Sequence, residues 1–245
     1  MSSTNSRAAA FSASGSPEAP KGALIFLHGL GDTPAGWSSL QNLLPTLRPR
    51  LKDIKYVFPA APMVRISING GASMPGWFDL YDWPIGLCAA EDKDGTASSV
   101  NQIQKIVREL EQQEGIPRGN IVIGGFSQGG AIALLSAYGY PTQDAAEGST
   151  SPFAGCAVLS GWLTPKEKWS IPGNAAERTP LFWAHGKYDD KVLFEQQEYG
   201  VDKLKDMGVK DILEKQYVMG HSSDPEELEE LAKFVDSVLF ESREA

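Results

Sequence analysis

In Gly125-Phe126-Ser127-Gln128-Gly129 a serine sits between two glycines, a spacing that suits a nucleophile on a turn too tight for ordinary side chains. The preceding Ile121-Val122-Ile123 reads as a buried strand, and Ala131-Ile132-Ala133-Leu134-Leu135 as the start of a helix packed through small residues. Such a strand, turn and helix would lift the Ser127 hydroxyl to the tip of a sheet. A serine hydroxyl is a weak nucleophile near neutral pH. It needs a base in hydrogen-bond reach and an acid that orients the base, and the chemistry this supports is acyl transfer.

The chain holds three histidines, His28, His185 and His221. In the α/β-hydrolase pattern the partners follow the serine in the order acid, then histidine, each on a loop after a strand. His28 precedes Ser127 and fits poorly. His185 ends the apolar run Leu181 to Ala184 and leads into Gly186-Lys187-Tyr188-Asp189-Asp190, so that loop offers an acid. His221 follows the run Ile212 to Val218 just ahead of the last helical segment and is the expected base. Asp189 and Asp190 are adjacent, and spacing does not separate them. The developing oxyanion needs two N–H donors. Gln128 offers one as the residue after the nucleophile, and the loop His28-Gly29-Leu30-Gly31-Asp32 offers the other, with Leu30 the expected residue.

Those groups need a scaffold. Apolar runs suited to strands lie at Ala23 to Leu27, Ile54 to Phe58, Ile121 to Ile123, Cys156 to Leu159, Pro180 to Ala184 and Ile212 to Val218. Segments of helical period lie between them at Pro34 to Leu47, Ala97 to Glu114, Gln128 to Tyr138, Phe194 to Met207 and Pro225 to Phe240. The alternation predicts a mostly parallel central sheet with helices on both faces, and with the Ser127 turn this reads as an α/β-hydrolase fold. The last helix has a legible start: Asp224 as cap, Pro225 in the first position, and Glu226 and Glu227 at the positive end of the dipole. Residues 141–152 read as an exposed loop, and no internal repeat is present.

At 245 residues, with 42% hydrophobic and 22% charged content, one catalytic domain over 21–245 is expected, preceded by a loose tail over 1–20. A formal charge of −9 with no basic cluster argues against nucleic acid as a partner. Cys88 and Cys156 are too few for a disulfide framework and lack metal-site spacing; reduced thiols in a cytosolic protein are expected. No window approaches the ~18 consecutive apolar residues of a membrane span. The first twenty residues lack the apolar core of a secretory signal, and Ser2 breaks the myristoylation pattern.

Six groups of residues in order carry a resemblance: Leu27-His28-Gly29-Leu30-Gly31-Asp32, Phe58-Pro59-Ala60-Ala61-Pro62, Met74-Pro75-Gly76-Trp77-Phe78-Asp79, Gly124 to Gly130 with Leu159-Ser160-Gly161-Trp162-Leu163, His185-Gly186 with Asp189, and Gly220-His221-Ser222. Over roughly 21–240 the chain resembles the acyl-protein thioesterase family, similar to small carboxylesterases and lysophospholipases. The resemblance implies a triad of Ser127, Asp189 and His221, with oxyanion donors at Leu30 and Gln128. It also implies an acyl pocket that includes Met74, Trp77, Trp162 and Lys191, covered by the segment Ile66 to Met74. The implied activity is depalmitoylation: hydrolysis of long-chain acyl thioesters on protein cysteines, with no metal or organic cofactor. Carboxylesterase action on short esters and lysophospholipase action are the rival readings. Implied partners are an S-acylated protein or small acyl ester, with peripheral membrane contact through the substrate, in a monomer or weak homodimer of the cytoplasm and nucleus. One departure stands out. The family commonly reads Pro-Leu-Val after the acid, whereas this chain has Asp190-Lys191-Val192, and a charged head there would shorten the acyl chain accepted unless its ammonium reaches water.

Overall fold

The computed structural model describes residues 11–13, 19–139, 151–165, 171 and 173–241. The strands are β1 (Phe11–Ala13), β2 (Ala23–Leu27), β3 (Lys55–Phe58), β4 (Met63–Ile66), β5 (Ala72–Pro75), β6 (Ile121–Phe126), β7 (Gly155–Leu159), β8 (Leu181–Gly186) and β9 (Ile212–Tyr217). Seven form the central sheet in the order β1-β3-β2-β6-β7-β8-β9, and β4 pairs with β5 as a separate hairpin. Every pair from β3 to β9 is parallel, whereas β1 adds antiparallel to β3.

The helices are α1 (Pro34–Trp37), α2 (Leu40–Leu47), α3 (Lys93–Gln113), α4 (Gln128–Leu134), α5 (Ala175–Arg178), α6 (Glu195–Asp206) and α7 (Pro225–Phe240). Central strands are buried on both faces, which is why β2, β6 and β7 are near-continuous apolar runs rather than alternating ones. Successive side chains still go to opposite sides. Ile25, Leu27, Ile121 and Ile123 pack with α3, α4 and α6 through Val100, Ile103, Ile132 and Leu204. Leu24, Phe26 and Val122 pack with α2 and α7 through Leu40, Leu44, Leu231 and Val235.

Two expectations are corrected, and a third segment gains its structure. The single helix expected over Pro34 to Leu47 is two helices, because the Ser38 hydroxyl donates to Ala35 O at 3.1 Å and competes with the ladder where α1 ends. The helix expected from Ala97 starts at Lys93, since Asp92 caps it by accepting Gly95 N–H at 2.9 Å. The covering segment Ile66 to Met74 belongs to the β4–β5 hairpin, with Gly70 and Gly71 both at positive φ in the turn. Within the expected loose tail, residues 11–13 pair with β3; the remainder up to 18 lies outside the described residues, as does 141–150 of the expected loop. The helix expected over Gln128 to Tyr138 is present, its last turn widened to a π-helix over Leu135–Gly139.

Candidate active site

Ser127 lies between β6 and α4, with φ 55° and ψ −123°, a conformation that costs a non-glycine residue free energy and that its surroundings must hold. They do so from both sides: Ser127 N–H donates to Leu159 O at 2.9 Å, and Ser127 O accepts from Ala131 N at 3.1 Å. A Cβ added to Gly129 would overlap the carbonyl of Leu27 and lie 2.7 Å from that of His28, so the turn closes only around glycine there.

His221 Nε2 lies 3.0 Å from Ser127 Oγ, and His221 Nδ1 lies 2.7 Å from Asp189 Oδ2. The two aspartates that spacing left equivalent are separated: Asp189 is buried, while Asp190 is exposed and faces Lys191 Nζ at 3.4 Å. Burial pushes the Asp189 carboxyl up, but hydrogen bonds from His185, His221 and Lys191 N–H outweigh it and hold the acid below the usual carboxylate range. An ionised carboxylate only accepts, so Nδ1 of His221 carries the proton and Nε2 is left to accept from the serine. Phe126 packs against the imidazole at 4.7 Å between ring centroids.

The loop after β2 lies against this turn, for a Cβ added to Gly29 would sit 3.4 Å from Ser127 Cβ. Neither the Leu30 nor the Gln128 N–H has a backbone acceptor among the described residues. Gln128 opens α4, where the helix dipole favours negative charge. An activated hydroxyl beside two unspent amides is an arrangement for acyl transfer through a tetrahedral oxyanion.

A model of the phospholipase/carboxylesterase family matches residues 10–239. The chain belongs to that family. It is a hydrolase of the α/β-hydrolase type. It is 38% identical over 233 residues to acyl-protein thioesterase 1 of Mycosarcoma maydis, an alignment covering 90% of this chain and 92% of that protein. Among solved structures it is similar to acyl-protein thioesterase 2 of Zea mays, with a TM-score of 0.76 at 29% identity, over 95% of this chain and 100% of that one. It is also similar to SOBER1 of Arabidopsis thaliana, with a TM-score of 0.75 at 30% identity, over 89% and 99% of the two chains.

The residues expected around an acyl pocket divide in this family member. Met74 is half-buried against the core beside Gly31, whose added Cβ would lie 3.9 Å from its sulfur. Trp162 is buried and meets Phe78 edge-on at 5.7 Å. Trp77 is only 1% exposed and spends its indole N–H on His28 O at 2.7 Å, so it stands behind the site as scaffold. Lys191 contributes its backbone N–H to Asp189 Oδ1 at 2.9 Å, while its ammonium is in water beside Asp190. Its charge therefore does not narrow a pocket.

The other two histidines are accounted for. His28 Nδ1–H donates to Gly29 O at 2.8 Å and Nε2 accepts from Ala61 N–H at 3.2 Å, and burial lowers its pKa despite the Gly29 bond and Asp32. That imidazole is neutral and braces the loop. His185 is fully buried; its Nε2–H donates to Val192 O at 2.9 Å and approaches Asp189 Oδ2 at 3.4 Å. It backs the acid by approaching the same carboxylate oxygen that His221 meets, a role that spacing did not suggest, although its place four residues before Asp189 was visible.

Proposed function

We propose that this chain cleaves long-chain acyl thioesters from protein cysteines through an acyl-serine intermediate. The observation that carries the reading is the continuous link Asp189 Oδ2 to His221 Nδ1 and His221 Nε2 to Ser127 Oγ, at 2.7 and 3.0 Å, in a chain 38% identical to a protein named acyl-protein thioesterase 1.

In the first step the Ser127 oxygen bonds to the acyl carbon while His221 Nε2 takes its proton. The carbonyl electrons move to oxygen, which rests on the Leu30 and Gln128 N–H groups. Collapse expels sulfur, which leaves with the proton from His221. Water then attacks the acyl-serine by the same route, releasing fatty acid and free Ser127. A thiolate leaves more readily than an alkoxide because its conjugate acid has a pKa near ~8.5, so thioesters ask less of His221 as an acid than oxygen esters do.

The substrate at this reading is an S-acylated protein met at a membrane surface. In support, Met63, Ile68, Tyr81, Trp83, Leu87 and Tyr188 are exposed apolar side chains on the hairpin and loops that adjoin the site. The hairpin is joined to the 79–87 loop by Ile68 N–H to Leu80 O at 2.9 Å, and that loop to the acid's loop by Ile85 N–H to Lys191 O at 2.7 Å. Both cysteines are free thiols, in keeping with a reducing cytoplasmic or nuclear compartment. Sedimentation would distinguish the monomer from the weak homodimer.

The test is hydrolysis rate against acyl length, with a thioester and an oxygen ester at each length. The reading expects kcat/KM to be highest for palmitoyl-length thioesters, with palmitoylated peptide favoured over lysophosphatidylcholine. A maximum at acetyl esters would make the chain a short-chain carboxylesterase, and preference for the lysolipid a lysophospholipase. In the same assay Ser127→Ala is expected to lower kcat by about 10⁶-fold without loss of the fold.

A further inference from the structure

Besides Gly76 N–H to Pro62 O at 3.0 Å, the following polar contacts tie the Pro75-Gly76-Trp77-Phe78 segment to its neighbours. The Trp77 indole N–H donates to His28 O at 2.7 Å. The Trp77 backbone N–H donates to Gln128 Oε1 at 3.0 Å, and Gln128 Nε2–H donates to Phe78 O at 2.7 Å. Pro75 O accepts from Gly31 N–H at 2.8 Å, and Trp77 O accepts from the Ser99 hydroxyl on α3. Gly76 reinforces the approach: a Cβ there would lie 2.9 Å from Leu30 Cδ1 and 3.5 Å from Gln128 Oε1.

These contacts bracket the two amides assigned to the oxyanion. Leu30 is flanked by anchors on the segment, His28 O two residues before it and Gly31 N one residue after. Gln128, the other donor, reaches the same segment through its fully buried side-chain amide. The parallel ladder between β2 and β6 ends at Leu27 opposite Gly125, so no sheet hydrogen bond sets how far the Leu30 loop stands from the start of α4. The separation of two donors is what an oxyanion senses, because each must meet the same oxygen at about 3 Å.

We propose that the Trp77 indole and the Gln128 side chain form a cross-brace that fixes the distance between the Leu30 and Gln128 N–H groups, and that both side chains are positioning residues for the tetrahedral state. The proposal rests on the assignment of those amides as the oxyanion donors. Trp77→Phe keeps a ring in the core and deletes only the bond to His28 O among the polar contacts. Gln128→Met keeps a side chain of similar length and deletes both of its bonds. Ser99→Ala removes one hydroxyl from the far side of the brace, and keeps the comparison available where a larger change does not fold.

The experiment measures kcat and KM on a thioester that the unaltered protein hydrolyses, with Ki for an acyl trifluoromethyl ketone, which Ser127 converts to a tetrahedral oxyanion. Thermal unfolding and near-ultraviolet circular dichroism identify the folded variants. Loss of a whole oxyanion donor costs ~10²–10³ in kcat. A displaced one is expected to cost about tenfold in the folded Trp77→Phe and Gln128→Met proteins, and less in Ser99→Ala, with KM within about twofold. The ketone Ki rises by the same factor as kcat falls, which a packing role alone would not produce. Folded variants with unchanged kcat and ketone Ki, or with KM and Ki rising together at constant kcat, would overturn the brace. If the unaltered protein neither binds the ketone nor labels at Ser127 with a fluorophosphonate, the fault lies with the assignment of the site itself.

Discussion

At the scale of single residues, the acid turns on one peptide step. Asp189 and Asp190 are chemically identical and adjacent, so nothing in their types or spacing distinguishes them. The loop does: Tyr188 N–H is held by Met219 O at 3.0 Å and Asp189 N–H by Gly186 O at 3.2 Å, which turns Asp189 inward and leaves Asp190 in solvent. Inside, the carboxylate is met by four N–H groups, from His185, His221, Lys191 and Val192. Asp189→Asn would keep the shape but present a donor to His221 and favour the wrong tautomer. A fall in kcat of about 10⁴ is expected, as for serine triads generally. Asp190→Asn, whose surface pairing with Lys191 is worth at most about 1 kcal/mol, should leave kcat unchanged. Kinetics on the two variants decides the assignment, and a larger loss at Asp190 would reverse it.

Elements carry their own constraints. The strand, turn and helix around Ser127 were legible because each is specified locally: a run buried on both faces, two glycines where backbone meets backbone, and small residues on the helix. Gly129→Ala would force a methyl into the Leu27 and His28 carbonyls, and about 2–3 kcal/mol of destabilisation is expected in a urea titration, with activity lost before the fold. A second constraint lies at the start of α7. Asp224 caps the helix as expected, accepting from Glu226 N–H at 2.8 Å, but Glu227 is turned into the core. Among the described residues its oxygens have no full hydrogen-bond partner, only a weak favourable influence from the Asp224 backbone, and burial pushes its carboxyl up to about 8. The folded protein therefore holds a proton that the unfolded chain releases in the ordinary carboxylate range. That contribution is fully present below that range and fades as pH rises towards about 8. Glu227→Gln should accordingly gain stability relative to the parent as pH is raised from about 5 to about 8, read as a widening difference in melting temperature. A constant difference across that window would show that Glu227 does not titrate this way.

For the molecule as a whole, charge and exposed apolar surface make opposite demands on the membrane contact proposed above. A formal net charge of −9 is repelled by anionic lipid, while exposed Ile68, Trp83 and Tyr188 on the segments around the site can insert among headgroups. Binding is therefore expected on neutral phosphatidylcholine vesicles, with no gain from added anionic lipid and little response to salt. Ile68→Ala with Trp83→Ala should weaken it by about tenfold, the scale set by removing two partly exposed apolar side chains from the contact. Flotation with vesicles measures this, and binding that requires anionic lipid would contradict it.

The sequence by itself determined what depends on neighbours along the chain: the Ser127 turn, the alternation of strands and helices, the Asp224 cap, and the order in which acid and base follow the nucleophile. Tertiary structure decided what depends on residues far apart in number. It turned Asp189 inward, a choice that the resemblance implied and spacing could not make, placed His185 behind it, turned the Lys191 ammonium into water and moved Trp77 from an expected pocket wall to a buried tie between His28 and Gln128. The physical reason is the same in each case. Periodicity and turn chemistry act over a few residues, whereas burial and the pairing of buried polar groups are settled only when strands ~30 to 100 positions apart meet in one sheet.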